Sequence, residues 1–165
     1  MRDYFRYGAL RDEILALPES MRMSLRAALA AGLAIWTAQA LGLQYPIYAL
    51  ISAIIVTDLL PSKTRELALR RFIGNAVGAV CGTFLSMALG GTAFSVAFAV
   101  FITIYISYIL RLHDASRVAG YVCGVVVLGH AAEPANYAWW RFVETSIGLA
   151  FAMAIGIAFA FLRGE

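Results

Sequence analysis

The residues of this sequence best suited to chemistry are a few charged and polar groups set among long apolar stretches. Arg71 is followed one helical turn later by Asn75, and Arg141 is followed by Glu144 and Thr145. A guanidinium can hold a carboxylate through two parallel hydrogen bonds, so Arg71 with Asn75 reads as a capture point for an organic carboxylate. The other reading of Arg71 is an ordinary interface arginine, like its neighbour Arg70. Glu144 has two readings of equal standing: a group that exchanges a proton or follows a substrate, or the partner of Arg141 in a structural ion pair. Asp58 is a secondary candidate, read as an interface carboxylate satisfied by Lys63 and Arg65 or as a coupling group. His130 can titrate near neutral pH or sit at an interface. Gln39 can bond between helices or line a path. Cys81 and Cys123 lack metal-ligand spacing and read as small packing residues. No glycine-rich phosphate loop, paired-carboxylate or nucleophile–base motif stands out. No metal, cofactor or enzymatic activity is therefore expected.

What must position these groups is a set of apolar helices. The 165 residues are 62% hydrophobic and 14% charged, with a mean hydropathy of +0.78. Soluble domains run at about 45–50% apolar and about 25% charged, so a water-soluble bundle or an aqueous enzyme is a poor fit. Residues 27–57, 72–110, 118–132 and 145–162 contain no Asp, Glu, Lys or Arg. A membrane helix needs roughly 20 apolar residues, so the first two runs each hold two spans. Their turns fall at Gly42–Pro46 and Gly90–Gly91. The expected fold is an all-α membrane protein with six transmembrane helices, at about 24–42, 45–61, 71–89, 93–110, 117–133 and 141–162. Residues 1–23 form an amphipathic cytoplasmic segment, with a surface helix over 3–17, and 163–165 a cytoplasmic tail. Pro18 suits the entry to the first span. Pro61 and Ser62 suit the start of a cytoplasmic extension, Lys63–Arg71, of the third. A cleavable signal peptide is not expected, because the first apolar run starts late.

This division segregates charge. Arg2, Arg6, Arg11, Arg22, Arg26, Lys63, Arg65, Arg70, Arg71, Arg111, Arg117 and Arg163 fall on one side, leaving only Arg141 on the other. The positive-inside rule then puts both termini in the cytoplasm. Topology and anionic lipid account for the net charge of +3 without a nucleic-acid partner. Tyr45, Tyr137, Trp139 and Trp140 fall at the outer span ends, where aromatic residues anchor a chain in the interface or contact an aromatic ligand.

An internal repeat joins the third and sixth spans at an offset of seventy. Arg71-Phe72-Ile73 meets Arg141-Phe142-Val143, Asn75 meets Thr145 and Gly78 meets Gly148. Small residues recur every four positions: Gly74, Gly78, Gly82, Ser86 and Gly90 in one, Gly148, Ala152, Gly156 and Ala160 in the other. Residues four apart share a helix face, and in lipid small residues let backbones approach. The two spans enter from opposite sides, so spans 1–3 and 4–6 form two inverted three-helix repeats, a plan common in secondary transporters.

The sequence resembles the fusaric acid resistance (FUSC) or aromatic acid exporter-like membrane family, and more distantly the plant aluminium-activated malate transporters. The resemblance runs through Ser24-Leu25-Arg26-Ala27-Ala28-Leu29-Ala30-Ala31-Gly32-Leu33-Ala34 and Ala49-Leu50-Ile51-Ser52-Ala53-Ile54-Ile55-Val56. It continues through Thr64, Arg71, Gly74 and Gly78, and ends in Arg141, Glu144-Thr145 and Gly148. It departs at Glu66 and Leu67, where a cation is common in the family, at Asn75, where Thr is common, and at Asp58, where a neutral polar residue is usual.

The resemblance implies an inner-membrane exporter of small organic anions, aromatic carboxylates among them, coupled to the proton gradient of a bacterial cell. Arg71 and Arg141 would attract the carboxylate and Glu144 would exchange the proton. Many relatives have two such halves, so this chain is expected to act as a homodimer. Two alternatives stay open: a passive anion channel at the dimer interface, and a non-transporting membrane subunit of a larger complex.

Overall fold

The computed structural model describes residues 18–129 and 133–163; segment 3–17 and His130 lie outside the described residues. Within them the chain is all helical. The elements are α1 (Glu19–Ala40), α2 (Ile47–Val56), α3 (Pro61–Leu89), α4 (Ala93–Ile109), α5 (Ser116–Gly129) and α6 (Pro134–Arg163), with a 3-10 turn, His113–Ala115, leading into α5.

All four prolines mark helix starts. Pro18 and Pro46 directly precede α1 and α2, and Pro61 and Pro134 are the first residues of α3 and α6. A first-turn proline loses no helical hydrogen bond and already has a helical φ. Gly42 and Gly90, at φ +66° and +72°, make the reversals after α1 and α3 in a left-handed conformation that glycine adopts freely.

Helix lengths differ from the expected segments where local chemistry intervenes. The second expected segment ran over 45–61, but α2 has only 10 residues, about 15 Å of helix. Thr57 is extended, and so is Leu60, as a residue before proline prefers to be. Helix α3 starts at Pro61, so Lys63–Arg71 forms its first turns. Helix α6 starts at Pro134, well before residue 141. Helix α3 and the Pro134–Leu162 part of α6 are each 29 residues long and apolar enough to cross a membrane. Only 33% of the most apolar stretch of each is buried, whereas the core helix of a soluble fold is mostly buried.

Helices α3 and α6 pack on each other at the centre. Helix α3 also lies along α5, which pairs with α4, and α6 lies along α2, which pairs with α1. The closest approaches are at glycines. A Cβ on Gly74 would come within 2.6 Å of Ala115 O, and one on Gly78 within 2.5 Å of Ala119 O, both on the α5 side. A Cβ on Gly82 would lie 2.8 Å from Val126 Cβ. A Cβ on Gly148 would collide with Ala49 O of α2. Gly156 is different: its nearest neighbour, Thr64, would be 3.8 Å away, an ordinary contact.

Inside and outside are composed in the reverse of a soluble protein. Ala30, Ala34, Ala38, Ala49, Ala53 and Ala68 are buried together with Leu149 and Ala152. Trp36, Phe84, Phe94 and Trp139 are exposed. Small residues inside let the helix backbones approach, and large apolar residues outside suit lipid.

Candidate functional site

Helices α3 and α6 each carry one arginine into the interior. Arg71 and Arg141 are only 8% and 3% exposed. Arg71 Nε donates to Ser52 Oγ on α2 at 3.2 Å. Its guanidinium carbon lies 5.6 Å from the centre of the Tyr121 ring on α5, and that of Arg141 lies 5.5 Å from the same ring. Arg141 also lies 4.1 Å from the Tyr48 ring and donates through Nη1 to the Tyr137 hydroxyl at 3.3 Å. The Tyr137 and Tyr48 hydroxyls are hydrogen-bonded to each other. Beside the arginines, Phe72 and Phe142 meet at 5.1 Å between ring centres.

Among the described residues neither arginine has an ion-pairing carboxylate. Aromatic faces stabilise the guanidiniums, each by about 0.5–2 kcal/mol, but do not cancel their charge. Arg141 Nε is buried without a hydrogen-bond partner, and so is Asn75 Nδ2. Each is a buried donor left without an acceptor among the described residues.

Glu144 is fully buried and does not form the ion pair with Arg141 that their spacing allows. Its Oε1 accepts the Tyr45 backbone N–H at 2.6 Å, just ahead of α2. The positive end of a helix dipole favours a carboxylate there. Its Oε2 has no partner. Glu144 thus holds the start of α2 with one oxygen and keeps the other in reserve. Thr145, the next residue, is also buried.

The remaining sequence candidates lie elsewhere. Asp58 is in the corner between α2 and α3, where Oδ1 accepts the Leu60 N–H at 3.1 Å and Oδ2 lies 3.4 Å from Lys63 Nζ. The Leu60 N–H, followed by Lys63, holds the Asp58 carboxyl below its ordinary pKa; partial burial opposes them. Gln39 is exposed in the last turn of α1. Tyr45 and Tyr137 were expected to anchor the interface. Instead they pack together at 5.0 Å, and Tyr137 is buried because its hydroxyl serves Arg141 and Tyr48. Trp139 remains exposed. Cys81 and Cys123 are free thiols, with Cys123 buried beside Ala99 and Val127. The described residues contain no metal-binding cluster of His, Cys, Asp and Glu.

Sequence reasoning passed over Tyr48, Tyr121 and Ser52, which complete the arginine cluster, and the role of Arg26. Arg26 is buried, donates through Nη1 to Asp58 O at 3.2 Å and Leu59 O at 2.7 Å, and lies over the Phe159 ring. A tyrosine inside an uncharged run was the available signal for Tyr121.

Residues 20–161 match the family model described as aromatic acid exporter family member 1. No curated protein and no solved structure matches the chain. The chain belongs to the aromatic acid exporter family. Export across a membrane, together with the exposed apolar belt, accords with a multi-pass membrane protein.

Proposed function

We propose that this chain exports small organic anions, aromatic carboxylates among them, and that export is coupled to protons. The observation that carries this reading is the buried pair Arg71 and Arg141, which shares Tyr121 and has no carboxylate partner among the described residues. The substrate carboxylate takes hydrogen bonds from both guanidiniums and from Asn75 Nδ2. It displaces Tyr121 as their electron-rich neighbour. Two arginines and an ionised Glu144 leave the cluster at 2 − 1 = +1, which a bound monocarboxylate cancels. A proton on Glu144 changes that charge, so the occupancy of the cluster by an anion depends on pH.

The proposal includes six spans in two inverted repeats. Two contacts support it. Gly78 abuts Ala119 while Gly148 abuts Ala49, so each contact becomes the other when seventy residues are added to one side and subtracted from the other. Phe72 and Phe142, also seventy apart, touch each other, as residues beside a pseudo-twofold axis must. The short second and fifth helices are equivalent in this scheme. In the proposed arrangement the chain forms a homodimer in a bacterial inner membrane with both termini cytoplasmic. The one-sided distribution of arginines and lysines supports that orientation.

The test is flux of benzoate into liposomes holding the purified protein, driven by a pH gradient or by voltage alone. Uphill movement driven by the pH gradient and lost in R71A and R141A is the expected result. Flux that follows voltage alone, unaltered by E144Q, would replace the coupled exporter with a passive channel. Absence of flux for benzoate and for aliphatic carboxylates would overturn transport by this chain alone.

A further inference from the structure

Two helix crossings at corresponding places in the sequence are closed in different ways. Gly74 of α3 meets Ala115, just ahead of α5, so closely that a Cβ would come within 2.6 Å of the Ala115 carbonyl oxygen. Seventy residues on from Gly74 stands Glu144, and seventy back from Ala115 stands Tyr45. These two also meet, just ahead of α2, but through a side chain: Glu144 Oε1 accepts the Tyr45 N–H at 2.6 Å. One turn further, both crossings are a glycine against a carbonyl, Gly78 on Ala119 and Gly148 on Ala49. The α3–α5 crossing is thus backbone against backbone at both turns. The α6–α2 crossing relies at its first turn on a carboxylate, and a carboxylate can change partners.

The alternative partner is on the same helix. Arg141 stands one turn before Glu144, a spacing that allows an ion pair. Glu144 Oε2 and Arg141 Nε are both buried without a hydrogen-bond partner among the described residues. Arg141 meanwhile donates to the Tyr137 hydroxyl, which is bonded to that of Tyr48 on α2. Glu144 therefore has two positions: on the Tyr45 N–H, as in the structure, or on Arg141. The second gives up the tie to Tyr45 and draws Arg141 from Tyr137, so the start of α2 loosens while Gly148 still abuts Ala49. Both positions are charge-assisted bonds, so whatever else Arg141 binds tips the balance between them.

We propose that Glu144 is a latch on the start of α2, and that an organic anion on Arg141 holds the latch closed. Both positions are populated in the anion-free protein. An anion on Arg141 occupies the guanidinium and shifts Glu144 to Tyr45. When the anion leaves, Glu144 competes for Arg141 again and the cluster opens between α2 and α6. The α3–α5 crossing, closed by backbone atoms at these turns, stays shut. This rests on anion binding at the arginine cluster and adds which helix moves and what releases it.

Amide hydrogen exchange of the whole chain in detergent, at one pH, tests this on a peptide holding Tyr45, with and without benzoate. Benzoate should slow the Tyr45 exchange of the wild type about tenfold, the scale of one hydrogen bond. E144Q keeps an acceptor for the N–H but cannot form the ion pair, and R141M removes the competing cation. Both should exchange slowly without benzoate and gain nothing from it. E144A should exchange fastest. Wild-type rates in E144Q and R141M without benzoate would overturn the two-position latch, and an unchanged rate in E144A would overturn Tyr45 as its catch. Benzoate binding is measured on the same samples. Failure to bind would sink the anion reading, while the variants without benzoate still decide the latch. Binding that leaves Tyr45 exchange unaltered would overturn control of the latch by the anion and spare the anion reading.

Discussion

Arg141 and Glu144 stand one helical turn apart on α6, both buried, and do not pair: the arginine turns to the tyrosines and the glutamate to the Tyr45 amide. A glutamate committed to Arg141 would neutralise the cation and leave the cluster with little use for an external anion. Directed at Tyr45, it leaves Arg141 available and keeps one of its own oxygens unpartnered.

Glu144→Gln keeps an acceptor for the Tyr45 N–H but cannot ionise. It should fold with a Tm close to wild type and lose the pH dependence of flux. Glu144→Ala leaves a buried N–H unsatisfied and should cost about 1–3 kcal/mol of stability. Thermal unfolding of both variants alongside flux at two pH values separates the anchoring role from proton exchange. Unchanged pH dependence in Glu144→Gln would remove Glu144 from the coupling.

The shared ring makes a second, finer prediction. Tyr121→Phe keeps the face over which Arg71 and Arg141 meet and should leave anion affinity within about threefold, since a cation–π contact is worth about 0.5–2 kcal/mol. Arg71→Ala and Arg141→Ala each remove charge-assisted hydrogen bonds worth about 1.5–3 kcal/mol and should weaken benzoate binding roughly 10- to 100-fold. Equilibrium binding to the detergent-solubilised protein measures all three. An equal loss in the Phe and Ala variants would assign the effect to the tyrosine hydroxyl rather than to the guanidiniums.

Helix contacts can be tested at glycines. Gly78→Val and Gly148→Val force a side chain onto the Ala119 and Ala49 carbonyls, and overpacking of this kind costs about 1–3 kcal/mol. Gly156→Ala has room and should be neutral or slightly stabilising, since alanine favours helix over glycine by about 1 kcal/mol. Tm values of the three variants, measured in one detergent, decide the matter.

At the α2–α3 corner, Asp58→Asn weakens the bonds to the Leu60 N–H and Lys63 and should cost about 1 kcal/mol at neutral pH. The folded pKa of Asp58 lies below its ordinary value of 3.8. Its contribution is therefore complete above that value and is lost as the pH falls through the lower, folded one. The Tm gap between wild type and variant should hold from pH 7 to pH 5 and close only in strong acid.

Much of this arrangement was legible in the sequence because charge inside an apolar run is conspicuous. Arg71, Arg141 and Glu144 stood out for that reason, Asn75 through its place one turn after Arg71, and Pro18 and Pro61 marked helix entries through their missing N–H and fixed φ. The early end of α2 was not legible. Leu59 and Leu60 prolong the apolar run past Val56, and the corner is held by Arg26 and Thr64, both distant from that run's own pattern. Tyr121 and Tyr48 were hidden for a related reason: a tyrosine in an apolar helix looks like any interface aromatic until two arginines are found against it. Glu144 was readable as a candidate, but its bond to Tyr45 depends on a residue 99 positions away.

The alanine and glycine interior has a consequence for how this protein tolerates mutation. In most soluble cores the damaging change is truncation, which leaves a cavity. Here Ala30, Ala34, Ala49, Gly74 and Gly78 have almost nothing to lose by truncation, and any growth pushes two backbones apart. Harmful substitutions should therefore cluster at the smallest residues and be enlargements. The bulky outward-facing residues Phe84, Phe94 and Trp139 should exchange for other apolar residues with little effect on folding. A complete single-substitution scan would map the helix contacts as the positions where size alone is forbidden.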